Sequence, residues 1–239
     1  CPAQLVGRVV HLASRRAFDI EGLGPKQVEQ LVAAKLLTSI EDVFDLRPKQ
    51  EQLLELERWG KRSTQNLLKQ IDARKQLPIG RFLNGIGIRH VGESTARDLG
   101  THFGTLDRLR TATQAELLAV DGVGDEVAAA ILQFFASDKN KATLQALQIA
   151  GVEPQAAERN DDGPLAGRVF AFTGGLTTMS RDEAKEKVEA LGAKAASGIS
   201  KKVTDVIAGT DAGSKLAKAE KLGLRILDEE AFNEMMGKL

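Results

Sequence analysis

The spacing of apolar residues divides the chain into two regions. Up to about residue 150, apolar residues recur every three to four positions, the period of an amphipathic helix, and glycine-containing corners interrupt the pattern every few turns. After residue 164, short apolar runs alternate with amphipathic stretches, which is typical of α/β proteins. Residues 151–164 have Gly and Pro near both ends and no apolar period, and this predicts a linker. The pattern therefore predicts a mostly α-helical domain followed by a small α/β domain.

Four corners repeat in the helical region, and we number them 1 to 4. They read Gly22-Leu23-Gly24, Arg58-Trp59-Gly60, His90-Val91-Gly92 and Gly122-Val123-Gly124, and their last glycines are 36, 32 and 32 residues apart. An apolar residue lies two positions before each corner: Ile20, Leu56, Ile88 and Val120. A small or β-branched residue lies four positions after each last glycine: Val28, Thr64, Ala96 and Ala128. Glycine lets the chain turn sharply between two helices, and we expect the middle side chain to pack between them.

Each corner is expected to present the start of a helix. In corner 1, Pro25 suits the first helical position. The first amides of a helix have no intrahelical partner, and an anion placed beyond them is favoured by about 0.3–1 kcal/mol. Corners 2 and 3 have Arg58 and His90 in place of the first glycine, so we expect these two corners to be distorted. We interpret Trp59 as a hydrophobic plug, with stacking on a base as the alternative.

The repeated pattern resembles the helix-hairpin-helix motif. Where that motif occurs, paired copies hold the backbone of duplex DNA across the minor groove without reading sequence, which agrees with backbone donors that meet phosphates. For this chain the resemblance implies DNA-binding residues at the corners and at flanking basic positions. They are Gly22, Leu23, Gly24, Lys26, Gly60, Lys61, Arg62, Arg89, Gly92, Arg97, Gly122 and Gly124. A solvated helix face is the alternative for each basic side chain, and a helical scaffold without DNA is the alternative for the region.

Residues 165–239 resemble a BRCT domain. An apolar run at residues 169–172 predicts a buried strand, and Ser180 with Glu183 predicts a helix N-terminus. Further strands are expected near residues 203–208 and 225–227, in a four-stranded parallel sheet covered by helices. BRCT domains that bind phosphate use a Ser or Thr and a Gly after the first strand and a Lys in the second helix. The resemblance therefore implies a phosphate site at Thr173, Gly174 and Lys215, the alternative being a strand cap and a solvated lysine.

The chain as a whole resembles the C-terminal part of bacterial NAD-dependent DNA ligases. The resemblance is carried by Cys1-Pro2-Ala3-Gln4, which is similar to the end of that family's four-cysteine zinc finger, and by the segments at residues 14–24 and 87–93. It implies the domains 1–10 (zinc-finger remnant), 11–150 (four helix-hairpin-helix motifs), 151–164 (linker) and 165–239 (BRCT). Cys1 would be a zinc ligand in the parent protein only, because zinc needs about four ligands. NAD, magnesium and zinc would be cofactors of the parent.

Charge and missing motifs limit the other functions. The 33 basic and 33 acidic residues cancel, so DNA binding would depend on local geometry rather than on the overall field. The adenylation motif Lys-x-Asp-Gly does not occur, and we expect no catalysis by this fragment. No apolar run approaches the roughly 18–20 residues that span a bilayer. We expect a cytoplasmic monomer whose partners are duplex or nicked DNA and the ligase catalytic domains.

Two other classes of function stay open at this point. One is a non-catalytic repair scaffold whose BRCT domain recruits protein partners. The other is a complete repair nuclease or glycosylase that uses the hairpins to hold DNA, against which the absence of a recognisable catalytic set argues.

Overall fold

The computed structural model describes residues 1–156, 163–196 and 198–238. The chain forms two compact units, Cys1–Ala157 (unit 1) and Glu158–Leu239 (unit 2). The α-helices of unit 1 are α1 (Pro2–Ala13), α2 (Pro25–Ala33), α3 (Gln50–Leu54), α4 (Lys61–Ala73), α5 (Ile79–Ile86), α6 (Glu93–Phe103), α7 (Leu106–Arg110), α8 (Gln114–Leu118), α9 (Asp125–Ala136) and α10 (Asp138–Ile149). Two 3-10 helices, Glu41–Asp45 and Arg47–Lys49, lie between α2 and α3. Unit 1 is therefore mostly helical, as its apolar periodicity predicts.

The core of unit 1 is centred on three phenylalanines from distant parts of the chain. The ring of Phe18 lies 5.1 Å from that of Phe44 and 6.0 Å from that of Phe82, measured between centroids. Gly85 lies directly against Phe18, because a Cβ placed on this glycine would be 2.6 Å from the ring. Helix α5 thus approaches the segment before corner 1 more closely than any larger residue would allow.

Two short strands change the boundaries expected for unit 1. Strand β1 (Gln76–Pro78) pairs in parallel with β2 (Glu153–Gln155), inside the stretch predicted as a linker. Val152 is buried just before β2. The linker prediction therefore fails for the first residues of 151–164, which belong to the packed unit; its residues 157–162 lie outside the described part of the chain.

The segment expected to be a zinc-finger remnant, 1–10, is also part of unit 1. It forms most of α1, with Cys1 as the N-cap residue and Pro2 in the first turn. Val9 and Leu12, on either side of the expected boundary, are both fully buried in the core. One continuous helix thus crosses from the expected remnant into the helical domain.

Unit 2 is a four-stranded parallel sheet with helices on both faces. Its strands are β3 (Val169–Thr173), β4 (Lys194–Ala196), β5 (Asp205–Ala208) and β6 (Arg225–Asp228), in the order β4-β3-β5-β6. Its helices are α11 (Arg181–Ala190), α12 (Gly213–Lys221) and α13 (Glu229–Gly237). Phe170, Phe172 and Phe232 pack together on one face of the sheet. Ala171, Val206 and Ala219 form a second core on the other face.

The capping chemistry of unit 2 matches the sequence prediction. Ser180 Oγ accepts a hydrogen bond from the Glu183 amide at 3.2 Å, and the Glu183 carboxylate accepts one from the Ser180 amide at 2.7 Å. This reciprocal pair begins α11 at the predicted residue. Asp228 caps α13 by a single bond, in which its Oδ1 accepts from the Ala231 amide at 2.8 Å.

Candidate nucleic-acid interface

The four corners have the same backbone conformation at their first position. This residue is left-handed in each corner, with φ of 85° at Gly22, 68° at Arg58, 64° at His90 and 78° at Gly122. Such angles are uncommon for residues other than glycine. Arg58 and His90 nevertheless adopt them, so the expectation that corners 2 and 3 are distorted is wrong. Packing around the corner imposes the turn, and the residue type at this position only changes its cost.

The middle residue of each corner is a buried plug. Leu23, Trp59, Val91 and Val123 are each at most 9% exposed. Each middle amide donates to the carbonyl of the apolar residue three positions earlier, at 3.1–3.4 Å. Trp59 also donates from its indole Nε1 to Gln30 Oε1 at 2.7 Å. Trp59 is therefore a plug, and this position does not present its ring for stacking on a base.

The last glycine of each corner is the N-cap of the next helix. Gly24, Gly60, Gly92 and Gly124 have extended backbones and precede α2, α4, α6 and α9. Their carbonyls accept the first helical hydrogen bonds, at 2.8–3.0 Å, from four residues that are fully buried: Val28, Thr64, Ala96 and Ala128. Because glycine has no side chain, the early helix amides are not capped from the N-cap residue. In corner 2, Ser63 Oγ accepts from the Gly60 amide at 3.1 Å.

The space in front of these glycines is open. Among the described residues, no heavy atom other than immediate neighbours lies within 4 Å of a Cβ placed on Gly60, Gly92 or Gly124. At Gly24 the nearest such atom is Gln27 Oε1, at the end of a flexible side chain, at 3.1 Å. An anion can therefore approach the starts of all four helices.

The corners are joined in pairs by side-chain contacts. Gln30, on α2, accepts from Trp59 of corner 2 and donates through Nε2 to the Glu57 carbonyl at 3.0 Å. His90 of corner 3 lies 3.2 Å from the Glu126 carboxylate on α9, measured from Nε2. Corner 1 is thus tied to corner 2, and corner 3 to the helix that corner 4 begins.

Charge differs between the two pairs. Lys26 in α2 and Lys61 and Arg62 in α4 are exposed in the first helical turns of corners 1 and 2. The first turns after corners 3 and 4 instead carry acids, Glu93 in α6 and Asp125 with Glu126 in α9. Acids there stabilise the helix end but repel a phosphate. This charge difference is visible in the sequence, within two residues of each last glycine, but it was not part of the predicted site.

The other two basic candidates differ in exposure. Arg89 is exposed beside corner 3. Arg97, on α6, is half-buried, and its Nε and Nη2 atoms are shielded from solvent. A phosphate would reach Arg89 without rearrangement, whereas Arg97 would have to change its conformation.

In unit 2, Thr173, Gly174 and Lys215 lie around one open cleft of about 640 Å³. Thr173 is 3% exposed, and its Oγ1 donates to the Ala212 carbonyl at 2.8 Å. Gly174 has a φ of 77° and lies against the 209–210 backbone, where a Cβ would be 2.4 Å from the Thr210 carbonyl oxygen. Lys215 is exposed. The three residues come together as predicted, but the proton of the Thr173 hydroxyl already bonds to the protein.

The side chain of Glu229, the first residue of α13, is hydrogen-bonded to the loop beside this cleft. Glu229 accepts hydrogen bonds from the amides and the hydroxyls of Thr177 and Thr178, at 2.6–2.8 Å. The hydroxyl and amide of Thr178, followed by the Thr177 amide, lower the pKa of Glu229 to about 2. These bonds fix the start of α13 to the loop that follows β3.

Cys1 is exposed. Across the described residues, no three His, Cys, Asp or Glu side chains converge in a way that could hold a metal ion. Cys1 and its neighbours therefore do not fit a zinc site by themselves, and its role as a ligand in a longer protein stays a prediction. No helix in the described part of the chain is long and apolar enough to cross a membrane.

Comparison with known families defines the class of protein. Residues 81–144, which include corners 3 and 4, match the helix-hairpin-helix motif family. Residues 160–236 match the BRCA1 C Terminus (BRCT) domain family. The chain therefore carries a helix-hairpin-helix region followed by a BRCT domain.

Comparison with individual proteins is more specific. The chain is 48% identical to a DNA ligase of Syntrophotalea carbinolica, over 100% of its own length and 35% of that protein. It is 45% identical to a DNA ligase of Trichlorobacter lovleyi (99% and 34%) and 44% identical to one of Koribacter versatilis (100% and 35%). These matches confirm the resemblance to bacterial DNA ligases. The chain spans about a third of the length of these curated relatives.

Proposed function

We propose that this chain binds duplex DNA through its sugar-phosphate backbone, without sequence preference, as part of a DNA ligase. The observation that carries the proposal is the fourfold repetition of one corner geometry, in which a glycine N-cap leaves the start of a helix open to an anion. The matches to the helix-hairpin-helix family and to DNA ligases support it. Corners 1 and 2, although outside the matched residues, share this geometry and are proposed as helix-hairpin-helix motifs too.

The role in the ligase is to hold and position the DNA. A chain that fixes a nicked duplex would raise the effective concentration of its ends at a catalytic site contributed elsewhere in the protein. In the parent ligase, that site would use NAD and magnesium, and Cys1 would belong to a zinc finger. Corners 1 and 2 make the stronger phosphate contacts, because their helices begin with lysine and arginine rather than with acids.

A pair of valine substitutions tests this proposal. Gly24 and Gly124 have φ of −80° and −96°, angles that any residue adopts, so valine should obstruct the phosphate without straining the corner. A hydrogen bond to a charged group contributes about 1.5–3 kcal/mol, so we expect Gly24→Val to weaken binding of nicked duplex by roughly tenfold or more. Gly124→Val should have the smaller effect, because Asp125 and Glu126 follow it.

Binding is measured by fluorescence anisotropy with nicked and intact duplexes at about 50 mM salt, where phosphate contacts are strong. Gly7→Val, at an exposed glycine on α1 that has no role in the proposed contacts, is the control and should bind normally. If the wild-type chain binds neither duplex, the proposed function is wrong, and a protein-recruiting scaffold becomes the better interpretation. If it binds and both corner variants keep full affinity, DNA is held by another surface.

A further inference from the structure

One edge of the unit 2 sheet has a basic residue at or beside the start of every strand. In a parallel sheet all the strands begin at the same edge. Lys194 is the first residue of β4 and Arg225 the first of β6, Arg168 immediately precedes β3, and Lys201 and Lys202 form the turn before β5. We call these five residues the basic edge.

Backbone contacts fix the order of the basic edge. The Lys194 amide donates to the Arg168 carbonyl at 2.8 Å, which places the starts of β4 and β3 side by side. The Val169 amide donates to Thr204 Oγ1 at 2.9 Å, which joins the start of β3 to the turn before β5. Asp205 and Arg225 are partners in the register of β5 and β6. With neighbouring strands about 4.8 Å apart, the four strand starts form a row of roughly 14 Å.

The acid at the centre of this row is buried and already bonded. Asp205 is 1% exposed, and its Oδ1 lies 2.5 Å from Arg168 Nη2 and 3.6 Å from Arg225 Nη1. Burial alone would raise the pKa of Asp205, but hydrogen bonds from Arg168 and Thr204 and the charges of both arginines hold it below its ordinary value. One buried carboxylate therefore orients two guanidinium groups without cancelling the charge of the row.

Helix ends at the same edge add further positive charge. Helices α11 and α12 return the chain toward the starts of strands, and Arg168 Nη1 reaches Met235 Sδ on α13 at 3.4 Å. Lysines lie in the last turns of α11 (Lys187) and α12 (Lys218 and Lys221) and directly after α13 (Lys238). Each of these helix ends also carries a glutamate: Glu189, Glu220 and Glu234. Helix dipoles account for lysines at helix C-termini. They do not account for the basic residues at strand starts.

At the opposite edge, acidic residues outnumber the two basic residues of the cleft, Arg181 and Lys215. Asp211, Asp228, Glu229 and Glu230 follow or end the strands beside the Thr173 cleft. A phosphate backbone approaching that edge would meet these four acids together with Arg181 and Lys215, whereas at the basic edge it would meet exposed lysines at successive strand starts.

We propose that the basic edge is a contact surface for the phosphate backbone of duplex DNA, separate from the corners of unit 1 and from the Thr173 cleft. A row of roughly 14 Å is long enough to contact more than one phosphate of a DNA strand. The inference rests on the proposed function, because the chain must bind duplex DNA for the edge to contribute.

The double variant Lys194→Gln/Lys201→Gln tests the basic edge. Both side chains are exposed, so the variant should fold normally. Each phosphate contact contributes about 0.9 to the slope of log K against log salt. We therefore expect the slope of the full 239-residue chain to become shallower by about 1.8 between 50 and 200 mM KCl. The ratio of variant to wild-type Kd then changes about tenfold across that range.

The matched control is Lys139→Gln/Lys141→Gln, which removes the same charge from exposed positions on α10, outside the corners and both edges of the unit 2 sheet, and should keep the wild-type slope. If thermal melting shows that the first variant is unstable, Lys201→Gln/Lys202→Gln removes two charges from a turn outside the strands. An unchanged slope in the basic-edge variants, with normal wild-type binding, overturns this inference and leaves the proposed function intact. If Arg181→Gln/Lys215→Gln, at the Thr173 cleft, makes the slope shallower and the basic-edge variants do not, the contact belongs to the cleft, which also overturns this inference. Absence of wild-type binding refutes the proposed function itself.

Discussion

Replacing Arg58 by glycine should stabilise unit 1. Arg58 has a φ of 68°, in the left-handed region, where a residue with a Cβ costs roughly 1–2 kcal/mol. Glycine removes this cost but adds about 0.4–1 kcal/mol of backbone freedom in the unfolded chain. The Arg58 side chain adds little in compensation, because its contact with Glu57 joins two side chains that are 88% and 84% exposed. The expected net gain is about 0.5–1 kcal/mol.

The reverse substitution in corner 4 is the matched control. Gly122 has a φ of 78°, and among the described residues beyond its chain neighbours no heavy atom lies within 4 Å of a Cβ placed there. Gly122→Ala therefore isolates the backbone cost from any clash. It should destabilise unit 1 by about 0.5–1 kcal/mol, equal in size and opposite in sign to the Arg58→Gly effect.

Trp59 provides the assay for both variants. The chain has one tryptophan and no tyrosine, and Trp59 is buried in corner 2, so urea-induced changes in its fluorescence report the unfolding of unit 1. The free energies of unfolding of Arg58→Gly and Gly122→Ala should shift in opposite directions from the wild-type value. The slope of the unfolding free energy against urea concentration should stay unchanged. A loss of more than about 0.5 kcal/mol in Arg58→Gly would refute the reasoning, because it would mean that the arginine side chain stabilises the corner by more than its backbone cost.

Two further predictions concern a carboxylate and a glycine. The pKa of Glu229 is lowered from 4.5 to about 2, so its contribution to stability is complete above pH 4.5 and is lost as the pH falls toward 2. As the pH is lowered between these values, the thermal midpoint of unit 2 should therefore fall more steeply in the wild type than in Glu229→Gln. Parallel plots of midpoint against pH for the two proteins would contradict the bonding of Glu229. Gly85→Ala should destabilise unit 1 by about 1–3 kcal/mol through overpacking against Phe18. Urea unfolding followed by Trp59 fluorescence measures this loss, and Gly7→Ala, on the exposed side of α1, is the control. If the two variants have equal urea midpoints, the Phe18 ring moves aside without cost.

The parts of the fold that depend on local sequence were predictable. Each corner has a buried middle residue, a last glycine and a buried residue four positions after that glycine. These three positions lie within six residues of chain, so their spacing appears directly in the sequence. The capping pairs at Ser180 and Asp228 are local for the same reason. The parallel sheet of unit 2 was predicted because short apolar runs alternate with amphipathic stretches, whereas the strand order and the position of β4 were not predicted.

Features that depend on distant partners were not predictable in this way. Strands β1 and β2 are three residues each, both contain a proline, and they pair across more than 70 residues, so neither shows an alternating pattern. Packing imposes the left-handed conformation of Arg58 and His90, and neither residue type indicates a positive φ in the sequence. At the Thr173 cleft, the sequence predicted that Thr173 and Lys215 lie together. It gave no indication that the hydroxyl proton of Thr173 is bonded to the Ala212 carbonyl.

The pairing of β1 with β2 has a mechanical consequence. Strand β2 lies between α10 and the residues that lead to the BRCT domain, so tension transmitted along the chain from that domain reaches α10 through the backbone and β1 through the strand pair. Because the two strands run parallel, such a pull loads their hydrogen bonds in shear, all at once, instead of opening them one by one. Part of the load is thus carried by β1 and by the helices on either side of it, α4 and α5, instead of by α10 alone.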